Sequence, residues 1–101
     1  MTCVIGIDIG TTSTIGILLD TKKNLIIKKK SIDVDLFSIK EGWAEEDPNQ
    51  WWQNTKEIIK DLSKFAKSKN KKIISIRTTG MLPALVILNN KGRVIRKSIQ
   101  Q

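Results

Sequence analysis

The sequence predicts an α/β fold ordered β-β-β-α-β and followed by a hairpin, and three observations carry that reading. Three runs rich in Ile, Val and Leu, separated by short polar turns, open the chain. One long stretch after Asp47 repeats its apolar residues at helical spacing. Two further apolar runs flank Asn89-Asn90-Lys91-Gly92, which has the composition of a tight turn.

Residues 3–9, Cys-Val-Ile-Gly-Ile-Asp-Ile, are apolar and largely β-branched with one acid among them, the pattern of a buried strand. Gly10-Thr11-Thr12-Ser13 interrupts the run, and Thr14 to Leu19 resumes it as a second strand. Asp20-Thr21-Lys22-Lys23-Asn24 makes a polar turn into a third strand, Leu25 to Ile32. Connections this short imply an antiparallel meander that needs a partner on its face. Residues 33–46 read as irregular. Asp47 then fits a helix cap, Pro48 the first helical position, and Gln50 the reciprocal position of a capping box.

Trp51, Thr55, Ile58, Ile59, Leu62, Phe65 and Ala66 fall on one helical face, with Lys56, Lys60, Lys64 and Lys67 opposite. Ile58, Leu62 and Phe65 are expected to face the sheet. Asn70 closes the helix as its C-cap. Ile73 to Ile76 reads as a fourth strand ending at Arg77-Thr78-Thr79-Gly80, and Leu82–Leu88 with Arg93–Ile99 as the two arms of a hairpin ladder. Trp43 and Trp51 are expected to pack as core or staple residues rather than as a ligand platform, with Trp52 partly exposed.

The chain has 101 residues, enough for one domain and too few for two. No repeat, linker or low-complexity tract interrupts it, so residues 1–101 are expected to lie within one domain with no internal boundary. It stops in or just after a strand, which suggests a fragment. Hydrophobic residues make up 40% and charged residues 28%, excluding collagen-like and disordered classes. No apolar run has the length of a membrane span, so no membrane partner is expected. With a single cysteine, Cys3, and no secretory leader, a cytoplasmic setting is expected. The complete lack of His removes the commonest general base and metal ligand. The net charge of +8 invites a nucleic-acid reading, all the more because no acid follows Asp61. Lysine nonetheless far outnumbers arginine, which fits a solvated surface better than a base- or phosphate-reading one, and specific nucleic-acid binding is not expected.

The candidate site is Asp8-Ile9-Gly10-Thr11-Thr12-Ser13. An acid at the end of a buried strand precedes a glycine turn and three hydroxyls. Backbone N–H groups and hydroxyls of Gly10, Thr11, Thr12 and Ser13 can donate to phosphate oxygens, and Asp8 can meet the accompanying Mg2+ through its water shell. The Gly-Lys-Ser/Thr of a Walker loop is absent. The alternative is an ordinary turn in which Gly10 supplies a positive φ and Asp8 accepts N–H bonds from the turn itself.

Gly6 to Thr14, followed by Gly42-Trp43-Ala44-Glu45-Glu46-Asp47-Pro48 leading into Trp51-Trp52, resembles the N-terminus of the FGGY family of carbohydrate kinases. The likeness is greatest to its xylulose kinases, with gluconate and glycerol kinases next. Gly92-Arg93-Val94-Ile95-Arg96 is similar to a further family stretch, with Lys97 where proline is common. The resemblance extends over the whole chain. It implies a ribonuclease-H-like, actin-like ATPase fold of which this chain is the N-terminal part, with ATP and Mg2+ as cofactors and a sugar or polyol as substrate. It also implies that Asp8 lies near the metal and Gly10, Thr11 and Thr12 at the phosphates, with Met81, Leu82 and Pro83 in the sugar-contacting stretch. Two departures stand out. Ile15 replaces a residue that is often basic, and Met81-Leu82-Pro83-Ala84 replaces a Gln-Met-His-Gly stretch.

A sugar kinase also needs a base for the hydroxyl proton, which the family takes from an Asp in a later segment. No catalytic base is therefore assigned within these residues, and the expected Asp lies beyond Gln101. The piece alone is expected to be inactive, and to self-associate through an exposed sheet edge or apolar face. Two other classes fit parts of the sequence: a ribonuclease-H-like nucleic-acid-binding protein, and a non-catalytic interaction module. The first lacks the several carboxylates that two-metal chemistry requires.

Overall fold

A computed structural model describes residues 1–82 and 84–100. The first three strands are β1 (Thr2–Ile9), β2 (Ser13–Asp20) and β3 (Leu25–Asp33). They form the expected meander, with Ile7 opposite Gly16 and Gly16 opposite Lys30. A single helix, α1 (Pro48–Ser68), returns the chain to β6 (Lys72–Gly80), which pairs in parallel with β1. The sheet order is β3-β2-β1-β6. The fourth strand extends through Arg77-Thr78-Thr79-Gly80, residues the sequence placed at its end, because each of them finds a partner along β1.

α1 lies on one face of this sheet. Cys3, Ile5, Ile7 and Leu18 from the strands meet Ile58, Leu62 and Ala66 from the helix in a closed core, with Phe65 and Ile59 packed at its margin. Burying Ile58 and Leu62 contributes about 1.5–3 kcal/mol each. The approach is close at Gly16, where a Cβ would stand 2.1 Å from Ile58 Cγ2. Lys56, Lys60, Lys64 and Lys67 are exposed, as the helical spacing requires.

The helix ends are built from side chains and turns. Asp47 caps the N-terminus by accepting from the Asn49 N–H at 2.9 Å. The capping box itself does not form, because the Gln50 amide is held elsewhere. Its Oε1 accepts from the Asp35 N–H and its Nε2 donates to Asp35 Oδ2, which fastens the loop after β3 to the first helical turn. At the C-terminus Lys69 is the cap and Asn70 is the residue beyond it, at φ +55°. The Lys71 N–H donates to Ala66 O and the Asn70 N–H to Lys67 O, the paired bonds of a Schellman motif.

The segment expected to be irregular contains two short strands, β4 (Leu36–Phe37) and β5 (Glu45–Glu46). They join β7 (Ala84–Leu85) and β8 (Ser98–Gln100) in a second sheet of order β4-β5-β8-β7. Two-residue strands carry no alternation, so sequence periodicity is blind to them. The hairpin turn forms as expected. Asn89 Oδ1 accepts from the N–H groups of Lys91 and Arg93, and Gly92 supplies φ +78°. Among the described residues the long ladder does not form: beyond the Leu88–Val94 bridge only β7 and β8 pair there, and Leu82, Leu85 and Leu88 remain exposed.

Trp43 is also displaced from its expected place. It is 47% exposed, because the turn at Gly42 (φ +81°) swings it away from α1 and leaves Lys40 Nζ over its ring. Trp51 is half-buried and donates from Nε1 to Glu46 Oε1, while Trp52 is exposed as expected. Among the described residues no helix is long and apolar enough to cross a membrane.

Candidate functional site

Strand alternation decides which residues of β1 meet α1 and which are left on the other face. Cys3, Ile5 and Ile7 point into the core, so Val4, Gly6 and Asp8 face away from the helix. Asp8 is exposed, at the C-terminal end of β1, between Ile15 of β2 and Thr79 of β6. Gly6 lies one row below, between Ile17 and Arg77. Together these residues line a groove of about 320 Å³ across the face opposite α1.

The turn that follows closes tightly. The Gly10 N–H donates to Ser13 O at 3.0 Å, and a Cβ on Gly10 would meet that same carbonyl at 2.9 Å. Glycine is needed here for that contact, since Gly10 is not among the residues with positive φ. The Gly10 N–H is thus occupied within the turn, and the donors left facing outward are those of Thr11 and Thr12. Neither has a backbone partner among the described residues. Among the described residues none donates a hydrogen bond from the turn to Asp8, so the reading of an Asp committed to shaping the turn does not hold.

Two elements hold the turn from behind. The Val34 N–H donates to Thr12 O at 2.9 Å, tying the exit of β3 to it. From α1, Asn54 Nδ2 reaches Asp33 O at 3.1 Å and Thr14 Oγ1 at 3.5 Å. Thr14 is fully buried, so the first residues of β2 are anchored while Thr11 and Thr12 stay exposed. Ser13 belongs to the base of the turn as the first residue of β2, and is half-buried.

The sugar-contacting candidates arrive at the same end of the sheet. The Met81 N–H donates to Ile9 O at 3.1 Å, and Thr11 Oγ1 points to Met81 Sδ at 3.9 Å. Met81 is therefore a direct neighbour of the turn after β1 despite a sequence separation of 70 from Thr11. Leu82 is 93% exposed and touches none of this. Pro83 lies outside the described residues. Sequence reading overlooked Arg77 as a site residue, placing it only at the end of a strand. The alternation Ser75, Arg77, Thr79 carries the signal, once β6 is extended to Gly80.

The donor set suits a phosphate and a hydrated divalent cation: two outward N–H groups, two hydroxyls, and one unpaired carboxylate a turn away. Among the described residues no cluster of three or more acidic, His or Cys ligands exists to hold a metal outright.

Comparison with known proteins identifies the family. The model for the FGGY family of carbohydrate kinases, N-terminal domain, matches residues 3–101. A xylulose kinase of Staphylococcus epidermidis is 34% identical over 96 residues, covering 95% of this chain and 19% of that protein. The crystal structure of xylulose kinase from Rhodospirillum rubrum superimposes with a TM-score of 0.91 at 45% identity, over 98% of this chain and 20% of that one. A gluconate kinase from Lactobacillus acidophilus gives a TM-score of 0.86 at 31% identity, over 97% of this chain and 19% of its own. The chain thus spans about a fifth of the length of the relatives it matches. The overall fold is that of the actin-like ATPase domains of these sugar kinases, and the chain belongs to the FGGY family of carbohydrate kinases.

Proposed function

We propose that this chain is the opening part of the first actin-like ATPase domain of an ATP-dependent carbohydrate kinase working in the cytoplasm, without an internal domain boundary. The reaction would move the terminal phosphoryl group of ATP to a hydroxyl of a ketose or polyol. Xylulose is favoured because the relatives of highest identity named above are xylulose kinases, before gluconate, ribulose or glycerol. The observation that carries the reading is the meeting of Asp8, the Thr11-Thr12 turn and Met81 at one end of the sheet.

In this reading Thr11 and Thr12 donate to phosphate oxygens, and Gly10 lets the turn close tightly enough for them to do so. Mg2+, when bound, neutralises phosphate charge, and Asp8 would hold it through water, since that ion keeps much of its hydration shell. Met81 and its neighbours would border the sugar. In this reading the hydroxyl proton would pass to a carboxylate outside these 101 residues. Asp20 is paired with Lys71, Glu45 with Arg96, and Asp47 is committed to the helix cap. The chain by itself would then be catalytically silent. Isolated from the rest of its domain, it would self-associate through β6, where Ile74 and Ile76 are exposed on an edge strand.

The test is Asp8→Asn in the full-length kinase, with turnover followed by ADP release and sugar affinity by calorimetry. Turnover should fall about 10²–10³-fold, the usual cost of losing one charge-stabilising group in a phosphoryl-transfer site. Sugar affinity should stay within about twofold. Near-normal turnover, or loss of sugar binding, would refute the assignment.

A further inference from the structure

Arg77 is the one strongly basic group in the groove beside Asp8, and no role assigned so far uses it. It sits on β6 in register with Gly6. Because Gly6 has no side chain, the middle of the groove floor is open from Arg77 across to Ile17. A Cβ on Gly6 would press on Ile17 Cγ1 at 3.3 Å and fill that space. Three other basic groups of the molecule are neutralised locally. Lys71 pairs with Asp20, Lys30 with Asp61 and Arg96 with Glu45. Arg77 makes no ion pair or side-chain hydrogen bond with any described residue, although Asp8 lines the same groove.

We propose that Arg77 binds phosphate: its guanidinium takes oxygens of the terminal phosphoryl group of the nucleotide across Gly6, while Thr11 and Thr12 hold the group from the other side of Asp8. This inference rests on the phosphate-site reading given above and adds a residue to it. Three features favour an anion here. The guanidinium is a planar fork matched to two phosphate oxygens. The walls contributed by Ile15 and Ile17 are apolar, so a charge pair formed between them is less screened than one at an open surface. The groove lies along the rows of β1 that end at the turn, so a group held at Thr11 is continuous with one held at Arg77. Arg77 would take no proton in this role. It would orient the phosphoryl group and offset its charge.

The experiment is a titration of this chain with inorganic pyrophosphate, followed by ¹H–¹⁵N spectra that include the arginine Nε–H signals. The Arg77 Nε–H and the Thr11 and Thr12 amides should shift together and saturate at one concentration. Arg77→Gln should weaken pyrophosphate binding about tenfold, as expected for losing a charged hydrogen-bonding partner. Arg77→Lys should lose less than Arg77→Gln. Adding Ile15→Lys to Arg77→Gln should restore binding, because residue 15 faces the same groove from β2. Lys64→Gln, on the opposite face of the sheet, should leave affinity unchanged. If Arg77→Gln binds as tightly as the parent while the Thr11 and Thr12 amides still shift, the role of Arg77 is refuted and the phosphate turn stands. If Lys64→Gln weakens binding as much as Arg77→Gln, attraction to a basic surface explains the effect and the inference fails. If the Thr11 and Thr12 amides do not shift at all, the phosphate-site reading itself is wrong.

Discussion

Two buried carboxylates respond to pH in opposite directions. Asp20 accepts from Lys71 Nζ at 2.8 Å and from the N–H groups of Lys22 and Lys23, chiefly the lysine ammonium lowering its pKa from 3.8 to about 2. Its contribution to stability is complete above about pH 4 and is lost as pH falls through about 2. Glu46 is the converse case. Burial raises its pKa, only partly countered by the Trp51 indole, and its Oε2 has no partner among the described residues. A raised carboxyl pKa favours the fold at low pH, and that component is lost as pH rises through the folded value. Glu46→Gln should therefore raise the urea midpoint at pH 7 and change it little at pH 4. Asp20→Asn should flatten the acid limb between pH 4 and 2. Chemical unfolding across pH checks both, and a Glu46→Gln protein less stable than the parent at pH 7 would contradict the account. Neither role was legible in the sequence, where Glu46 looked like loop and Asp20 like turn. What separates them from other acids is burial contributed by β8 and by the Schellman turn, both distant in sequence.

At the scale of elements, the meander and the helix were legible because each repeats its pattern long enough to be seen. β1 and β2 alternate over eight residues each, and α1 holds its apolar stripe over 21. The site turn was legible too, as a break between two strong strands. The small sheet was not, since its strands are two or three residues long and pair only after the chain has folded back. Trp43 failed for a related reason: its burial depends on where Gly42 turns the chain, and composition does not fix that direction. Among the glycines, the closest approach between elements is at Gly16, under Ile58. Gly16→Ala should destabilise the chain by about 1–3 kcal/mol, since an added methyl must push α1 off β2. Thermal or urea unfolding would measure it. A cost below about 0.5 kcal/mol would mean that α1 sits farther from the sheet than described.

At the scale of the molecule, one sheet end collects what two separated segments supply. β1 brings Asp8, its following turn brings Thr11 and Thr12, and β6 brings Met81 through the parallel pairing that α1 makes possible. The family pattern in the sequence pointed to all three, with Met81 in the sugar-contacting stretch. Their proximity to one another and to Arg77 needed the register of β6. The most direct measurement is a crystal structure of the full-length kinase with magnesium and a non-hydrolysable ATP analogue. The account predicts phosphate oxygens within about 3 Å of the Thr11 or Thr12 amide nitrogens, with the metal between Asp8 and the phosphates. Phosphates bound at another part of the fold, with Asp8 and the Thr11-Thr12 turn facing only solvent, would contradict it.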